Sequence, residues 1–258
     1  MKKFIALFLT IFACSSVVLA IPNNYKDELK RIGYSYNVKG FIESIRKDNQ
    51  LAFRYFLHST VDVDSQNKRG VTPLVAAVLY GNEYYIKELI EVGKANPNIK
   101  TDVGDAALNY AAYNGNFDLV EYLIRNGSFV DNVNMRGDSP LIQSVFVNRY
   151  DIAMYLLFVG ADPNLQNMLG NTALYYAASY GHLEMVKVLV ANGADINVQN
   201  AIKETPLFIA AKNGKVEVVE YLLSTRKADK KLQNWEGLYP LDIALQYEHS
   251  EIVNLLSK

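Results

Sequence analysis

Cysteine is almost missing from this 258-residue chain: Cys14 stands alone, so no intrachain disulfide can form. Histidine is scarce as well, with only His58, His182 and His249. His58 has no cysteine or second histidine close in sequence, and a chain cut downstream of Cys14 offers no thiolate, which excludes zinc held by cysteine and histidine. An excess of one charge is absent too: 26 basic against 27 acidic residues leave a net charge of −1. That balance excludes an electrostatic footprint for nucleic acid and gives no basic patch for anionic lipid. There is no Gly-x-Ser-x-Gly elbow, no phosphate-cradling glycine loop and no His-Glu-x-x-His helix. No catalytic constellation and no cofactor is therefore expected, and no metal site.

The first residues differ from the rest. Met1-Lys2-Lys3 is a short basic start, and Phe4 to Ala13 is apolar apart from Thr10. Val18 and Ala20 place modest side chains three and one residues ahead of Ile21, as at a signal-peptidase cut. Residues 1–20 read as a signal peptide of bacterial type, with export to the periplasm or cell envelope as the expectation. Two alternatives stay open. Ile11-Phe12-Ala13-Cys14 resembles a lipobox in which Cys14 would carry lipid, although Phe12 fits it poorly, and Phe4 to Ile21 is just long enough for an uncleaved anchor. A membrane association is expected only in those two cases.

Beyond that segment the chain repeats. Thr72-Pro73-Leu74, Ala106-Ala107-Leu108, Ser139-Pro140-Leu141, Thr172-Ala173-Leu174, Thr205-Pro206-Leu207 and Tyr239-Pro240-Leu241 recur at steps of 33 or 34 residues. A hydroxyl followed by proline predicts a capped helix start. A second helix follows each, with an apolar stripe at i, i+3, i+4: Ile86, Leu89, Ile90; Val120, Leu123, Ile124; Ala153, Leu156, Leu157; Val186, Leu189, Val190; Val219, Leu222, Leu223. Gly160 to Asn164 and Gly193 to Asn197 give a Gly-Ala-Asp-x-Asn turn into the next unit.

Period, Thr-Pro-Leu core and stripe together resemble the ankyrin-repeat family. The resemblance implies an all-α repeat solenoid of helix-turn-helix units joined by hairpin loops. It covers residues 37–258: an N-terminal cap at 37–66, five main repeats at 67–233 and a C-terminal cap at 234–258, preceded by a lead-in at 21–36. Several positions depart from the pattern. Ala106 removes a cap, Lys203 stands where other units have glycine, and Asn148 replaces a helix-ending glycine; one extra residue near Lys94 and another near Arg226 each lengthen a loop. His182 and His249 share one repeat position and read as structural.

The resemblance also implies where a ligand sits. In that family partners dock on the concave face, made from hairpin tips and the ends of the first helices. The matching positions here include Tyr80, Tyr113, Phe146 and Tyr180 at helix ends and Met135, Met168 and Trp235 at tips. Tyr, Trp and Met are enriched at protein interfaces, so these seven residues are the expected protein-binding site. Tyr113, Phe146, Tyr180 and Met168 are expected to form steps along one groove. The leading reading is an exported binding scaffold for a protein partner, with an inhibitory, immunity or enzyme-protecting role; the alternative is a module for a membrane surface or small ligand.

Overall fold

A computed structural model describes residues 24–258 of the chain. The signal-peptide, lipidation and anchor readings, including Cys14 and the cut before Ile21, lie outside the described residues. Helix α1 (Tyr25–Arg31) leads in. Seven helix pairs follow: α2 (Val38–Arg46) and α3 (Gln50–Leu57), α4 (Pro73–Leu79) and α5 (Glu83–Lys87), α6 (Ala107–Asn114) and α7 (Phe117–Arg125), α8 (Pro140–Phe146) and α9 (Tyr150–Phe158), α10 (Ala173–Tyr180) and α11 (Leu183–Ala191), α12 (Pro206–Lys212) and α13 (Val216–Ser224), and α14 (Pro240–Gln246) and α15 (Ser250–Leu256). No regular strand occurs among the described residues.

The first helices of successive pairs stack on one another from α2 to α14, and the second helices form a parallel row behind them. The two rows are here called inner and outer. Small residues let the inner row close up: Ala77, Ala111, Ala177 and Ala210 share one repeat position and are buried, and Ser144 takes that place in α8 with its hydroxyl donated to the Leu141 carbonyl at 2.8 Å. The stripe of each outer helix fills the space between rows, with Leu89, Leu123, Leu156, Leu189 and Leu222 all inaccessible to solvent. Each such leucine stabilises the stack by about 1.5–3 kcal/mol.

Helix starts follow the sequence. The hydroxyls of Thr72, Ser139, Thr172 and Thr205 accept the backbone N–H three residues on, at 3.1–3.3 Å. Ala106 cannot, yet its loss is partly offset. Asn109 turns back to accept the Ala106 N–H at 3.1 Å and donates to the Asn132 carbonyl of the next unit at 3.0 Å. Gly181 ends α10 in the left-handed region at φ 81°, and Asn148 does the same after α8 at φ 56°. The extra residue near Lys94 is not where the sequence placed it. It enters the helix itself: α5 continues as a π-turn over Glu88–Val92, and Lys94 then takes the left-handed position at φ 56°. Leu89 and Ile90 thereby keep their place on the buried stripe.

The N-terminal end is closed by aromatic rings. Phe41 stacks on Phe56 with centroids 5.1 Å apart, Phe53 lies 4.4 Å from Tyr85, and α1 packs Leu29 over α3. This explains how a terminal unit without the Thr-Pro-Leu core holds its shape, since three phenylalanines bury more apolar area than the aliphatic residues they replace.

Three of the 18 tyrosines join repeats through carboxylates. Tyr85 donates to Asp48 at 2.8 Å, Tyr122 to Glu91 at 2.9 Å and Tyr175 to Glu204 at 2.7 Å. Burial first, and then the carboxylate, pushes each phenol upward; Tyr122 reaches about 12. The native state holds these protons more tightly than an unfolded chain, whose tyrosines titrate near 10. Their contribution is full below pH about 10 and is lost as pH rises through the folded values. Denaturant titrations between about pH 9 and 12 will show stability falling with pH, and Tyr122→Phe will reduce the slope. A flat profile would contradict these inter-repeat bonds.

Candidate functional site: the hairpin tips and the inner-helix ends

Between repeats the chain runs out to a hairpin tip and back, and the tips are tied in series. The amides of Asp102, Met135, Met168, Ala201 and Trp235 donate to the carbonyls of Arg69, Val103, Arg136, Leu169 and Ile202 at 2.8–3.1 Å, one bond per step. The base of each hairpin is held by a recurring asparagine. In Asn67, Asn134, Asn167, Asn200 and Asn234 the side-chain oxygen accepts the N–H groups two and four residues on. Their amide groups also reach backwards: Asn134 donates to Asp105, Asn167 to Asp138 and Asn200 to Asn171, at 2.8–2.9 Å. This polar ladder fixes the spacing between tips, because each buried partner would be left unsatisfied if its neighbour shifted.

All seven side chains expected at a binding face are exposed. Tyr80, Tyr113, Phe146 and Tyr180 retain 43–51% of their surface, and Met135, Met168 and Trp235 retain 66–77%. Burial as core residues is therefore not their fate. They are not all brought together, however. Tyr113 and Phe146 line one groove of about 290 Å³ with Arg136, Ile142, Leu169 and Tyr176. Phe146 makes edge-on contacts with Tyr176 at 5.5 Å and Tyr180 at 5.7 Å. The tip residue that lines that groove is Leu169 and not Met168, which corrects the expected step; Met168 stays exposed on the tip beside it. Tyr80 lies apart, beside Gly81, Asn114 and Asn116 at the helix-turn-helix edge. Trp235 sits at the tip entering the last unit, where its amide bonds Ile202.

Sequence reasoning missed Leu169, Tyr176 and the asparagine ladder. The ladder had a visible signal, since asparagine recurs at 67, 134, 167, 200 and 234 with Thr101 as the exception.

The aspartates of the inter-repeat turns and His249 have structural partners. Asp162 and Asp195 accept the amides of Asn164 and Asn197 at 2.8 and 2.9 Å, and Asp131 accepts that of Asp162 at 3.2 Å. The His249 ring fills the space over Gly214 and bonds the Lys212 carbonyl at 3.1 Å. His182 begins α11, and burial, with Lys215 nearby, lowers its proton affinity. Among the described residues no three His, Cys, Asp or Glu side chains converge as a metal site would require, and no helix is long and apolar enough to cross a membrane.

Comparison with known proteins settles the family. Residues 41–134, 86–167, 131–200 and 174–258 each match the family described as Ankyrin repeats (3 copies). The chain belongs to the ankyrin-repeat family. It is also similar to Neurogenic locus notch homolog protein 1 of Danio rerio, 32% identical over 98 residues, and to that of Homo sapiens, 31% identical over 98 residues. Those matches cover 38% of this chain and 4% of the relatives' length. Ankyrin repeats generally mediate protein–protein interaction, and the family's scaffolds are typically non-enzymatic.

The tip ladder of this ankyrin protein makes a sharp stability contrast. A Cβ on Gly170 would stand 2.7 Å from the Ala201 backbone nitrogen, and φ there is 73°. Lys203 holds the equivalent position at φ 59°, a region that costs a non-glycine residue about 1–2 kcal/mol. Gly170→Ala is expected to destabilise by about 2 kcal/mol or more, whereas Lys203→Gly will be neutral or stabilise by up to about 1 kcal/mol. Urea unfolding of both variants checks this; equal effects would mean that the tips are not under the constraint described.

Proposed function

We propose that this protein is an exported ankyrin-repeat scaffold that docks a protein partner on its concave face. The observation that carries the reading is the line of large apolar side chains left exposed by a core that is already filled. Tyr113, Phe146 and Tyr180 rise from three successive inner helices, and Leu169 and Tyr176 extend the same surface between them. Val103, Met135, Met168 and Ile202 add apolar surface on the tips of the same units. Contiguous exposed apolar surface on a soluble domain marks an interaction site. Large aromatic residues near the centre of an interface carry most of its energy, about 2 kcal/mol or more each on truncation.

Rigidity supports the same reading. With the tips tied at one bond per repeat and the inner helices stacked through alanines, the face is ordered before a partner arrives. Less conformational freedom is then lost on association. Export rests on the character of residues 1–20, and an inhibitory, immunity or enzyme-protecting role is what an envelope scaffold of this kind would perform.

The test is capture of the partner from envelope extract on the immobilised protein. Phe146→Ala or Tyr180→Ala is expected to lower its retention at least about tenfold. Circular dichroism should be unchanged, and stability should fall by only about 1 kcal/mol from the lost ring contacts. Glu121→Gln, on an outer helix, should change neither. Unfolding of the aromatic variants would assign those rings to the core, and full retention would move the partner off this face.

A further inference from the structure

Outer helix α9 breaks the pattern of its row. The fifth and ninth residues of α7 are Glu121 and Arg125, ion-paired at 2.7 Å, and those of α11 and α13 are Lys187 and Ala191, Glu220 and Ser224. In α9 the same positions are Met154 and Phe158, 44% and 84% exposed, with Tyr150 one turn earlier at 41%. Spacings of i, i+4 and i+8 place the three on one stripe. The buried side of α9 is complete without them, since Ile152, Ala153, Leu156 and Leu157 already face the core. Packing therefore accounts for the inward residues of α9 and leaves the outward ones unexplained.

The surroundings of this stripe are acidic. Every outer helix of the main repeats and of the C-terminal unit carries an exposed carboxylate in its first turn: Glu83, Asp118, Asp151, Glu184, Glu217 and Glu251. The partial positive charge of a helix start favours an acid there. That local effect does not neutralise the side chains, and Asp118, Asp151 and Glu217 form no ion pair with any described residue. Next to the stripe a shallow depression of about 680 Å³ brings together Tyr150, Leu183, Glu184 and Glu217. Glu184 is already paired with Lys187 at 2.7 Å, whereas Glu217 on the same depression is unpaired. An aromatic ring beside an unpaired carboxylate suits a lysine or arginine, which gains from the ring face as well as from the charge.

We propose that the outer face of α9 and α11 is a second docking surface, whose occupant is a basic amphipathic segment of a protein partner. Its apolar stripe covers Met154 and Phe158, and its lysine or arginine side chains meet the unpaired Asp151 and Glu217, with one seated against Tyr150. Charge complementarity selects this occupant over a second copy of the chain, since two copies joined through this face would oppose carboxylate to carboxylate. The stripe belongs to an outer helix and Tyr113 and Phe146 to inner ones, the two surfaces share no lining residue, and this proposal stands independently of the concave site.

The probe is a fluorescent amphipathic helical peptide of leucine and lysine, titrated into the full protein, with its leucine–glutamate counterpart as control. The lysine peptide is expected to bind and the glutamate peptide not. Met154→Glu combined with Phe158→Arg recreates the α7 ion pair on an exposed stripe, so the fold is retained. It is expected to weaken the lysine peptide by about tenfold or more, as is Glu217→Lys alone. Phe146→Ala should leave the affinity unchanged. Equal affinity of the double variant and the unaltered protein would overturn the proposal, as would equal binding of the two peptides. A protein that sediments as a dimer and becomes monomeric in the double variant would show a second copy on this face, and would overturn it too.

Discussion

A pair of short helices cannot bury its own apolar face, and the whole molecule follows from that constraint. Each unit here has two faces to cover and only its neighbours to cover them, so stability arises from contacts between adjacent units. The alanines of the inner helices are where this is decided. Ala77, Ala111, Ala177 and Ala210 bring consecutive helices close enough for the leucines of the outer row to seal the space between. A larger side chain at any of these positions would separate two units and expose the stripe of both. The ends, with one neighbour each, need other means: phenylalanines and α1 at the N-terminal side, and a short pair, α14 and α15, at the other.

That division of labour frees the surface. The core is complete without the large residues at the ends of the inner helices, which meet solvent. Tyr113, Phe146 and Tyr180 occupy such positions. The asparagine ladder and the tip bonds then hold the exposed side chains at a repeat spacing set by the backbone. Fold and recognition thus draw on different residues of each unit, which is why the surface can be specialised without disturbing the stack. The same logic applies to α9, where an apolar outward stripe costs the core nothing.

Most of the architecture was legible because the period is written in residues whose roles are local. A hydroxyl before proline starts a helix, and the i, i+3, i+4 stripe orients it. Lys203 was readable as a left-handed residue because five other units carry glycine there, and φ 59° follows. What was not legible depends on the space between units. An inserted residue near Lys94 looks the same in sequence whether it lengthens a loop or enters a π-turn; only the need to keep Leu89 and Ile90 buried selects the second. The choice of Leu169 over Met168 in the groove rests on which way a tip residue points, and no pattern of residue types encodes that. The exposed stripe of α9 was hidden for the opposite reason, since a helix that is apolar all round reads as core.

The central claim is that the partner is held on the face formed by the hairpin tips and inner-helix ends. Hydroxyl-radical footprinting of the captured complex against the free protein tests it directly, because methionine and aromatic side chains report their own exposure. The account predicts strong protection of Tyr113, Phe146 and Tyr180, which are exposed in the free chain, with little change at Glu220 and Ser224 on α13. Unchanged reactivity of those three side chains in the complex would contradict it.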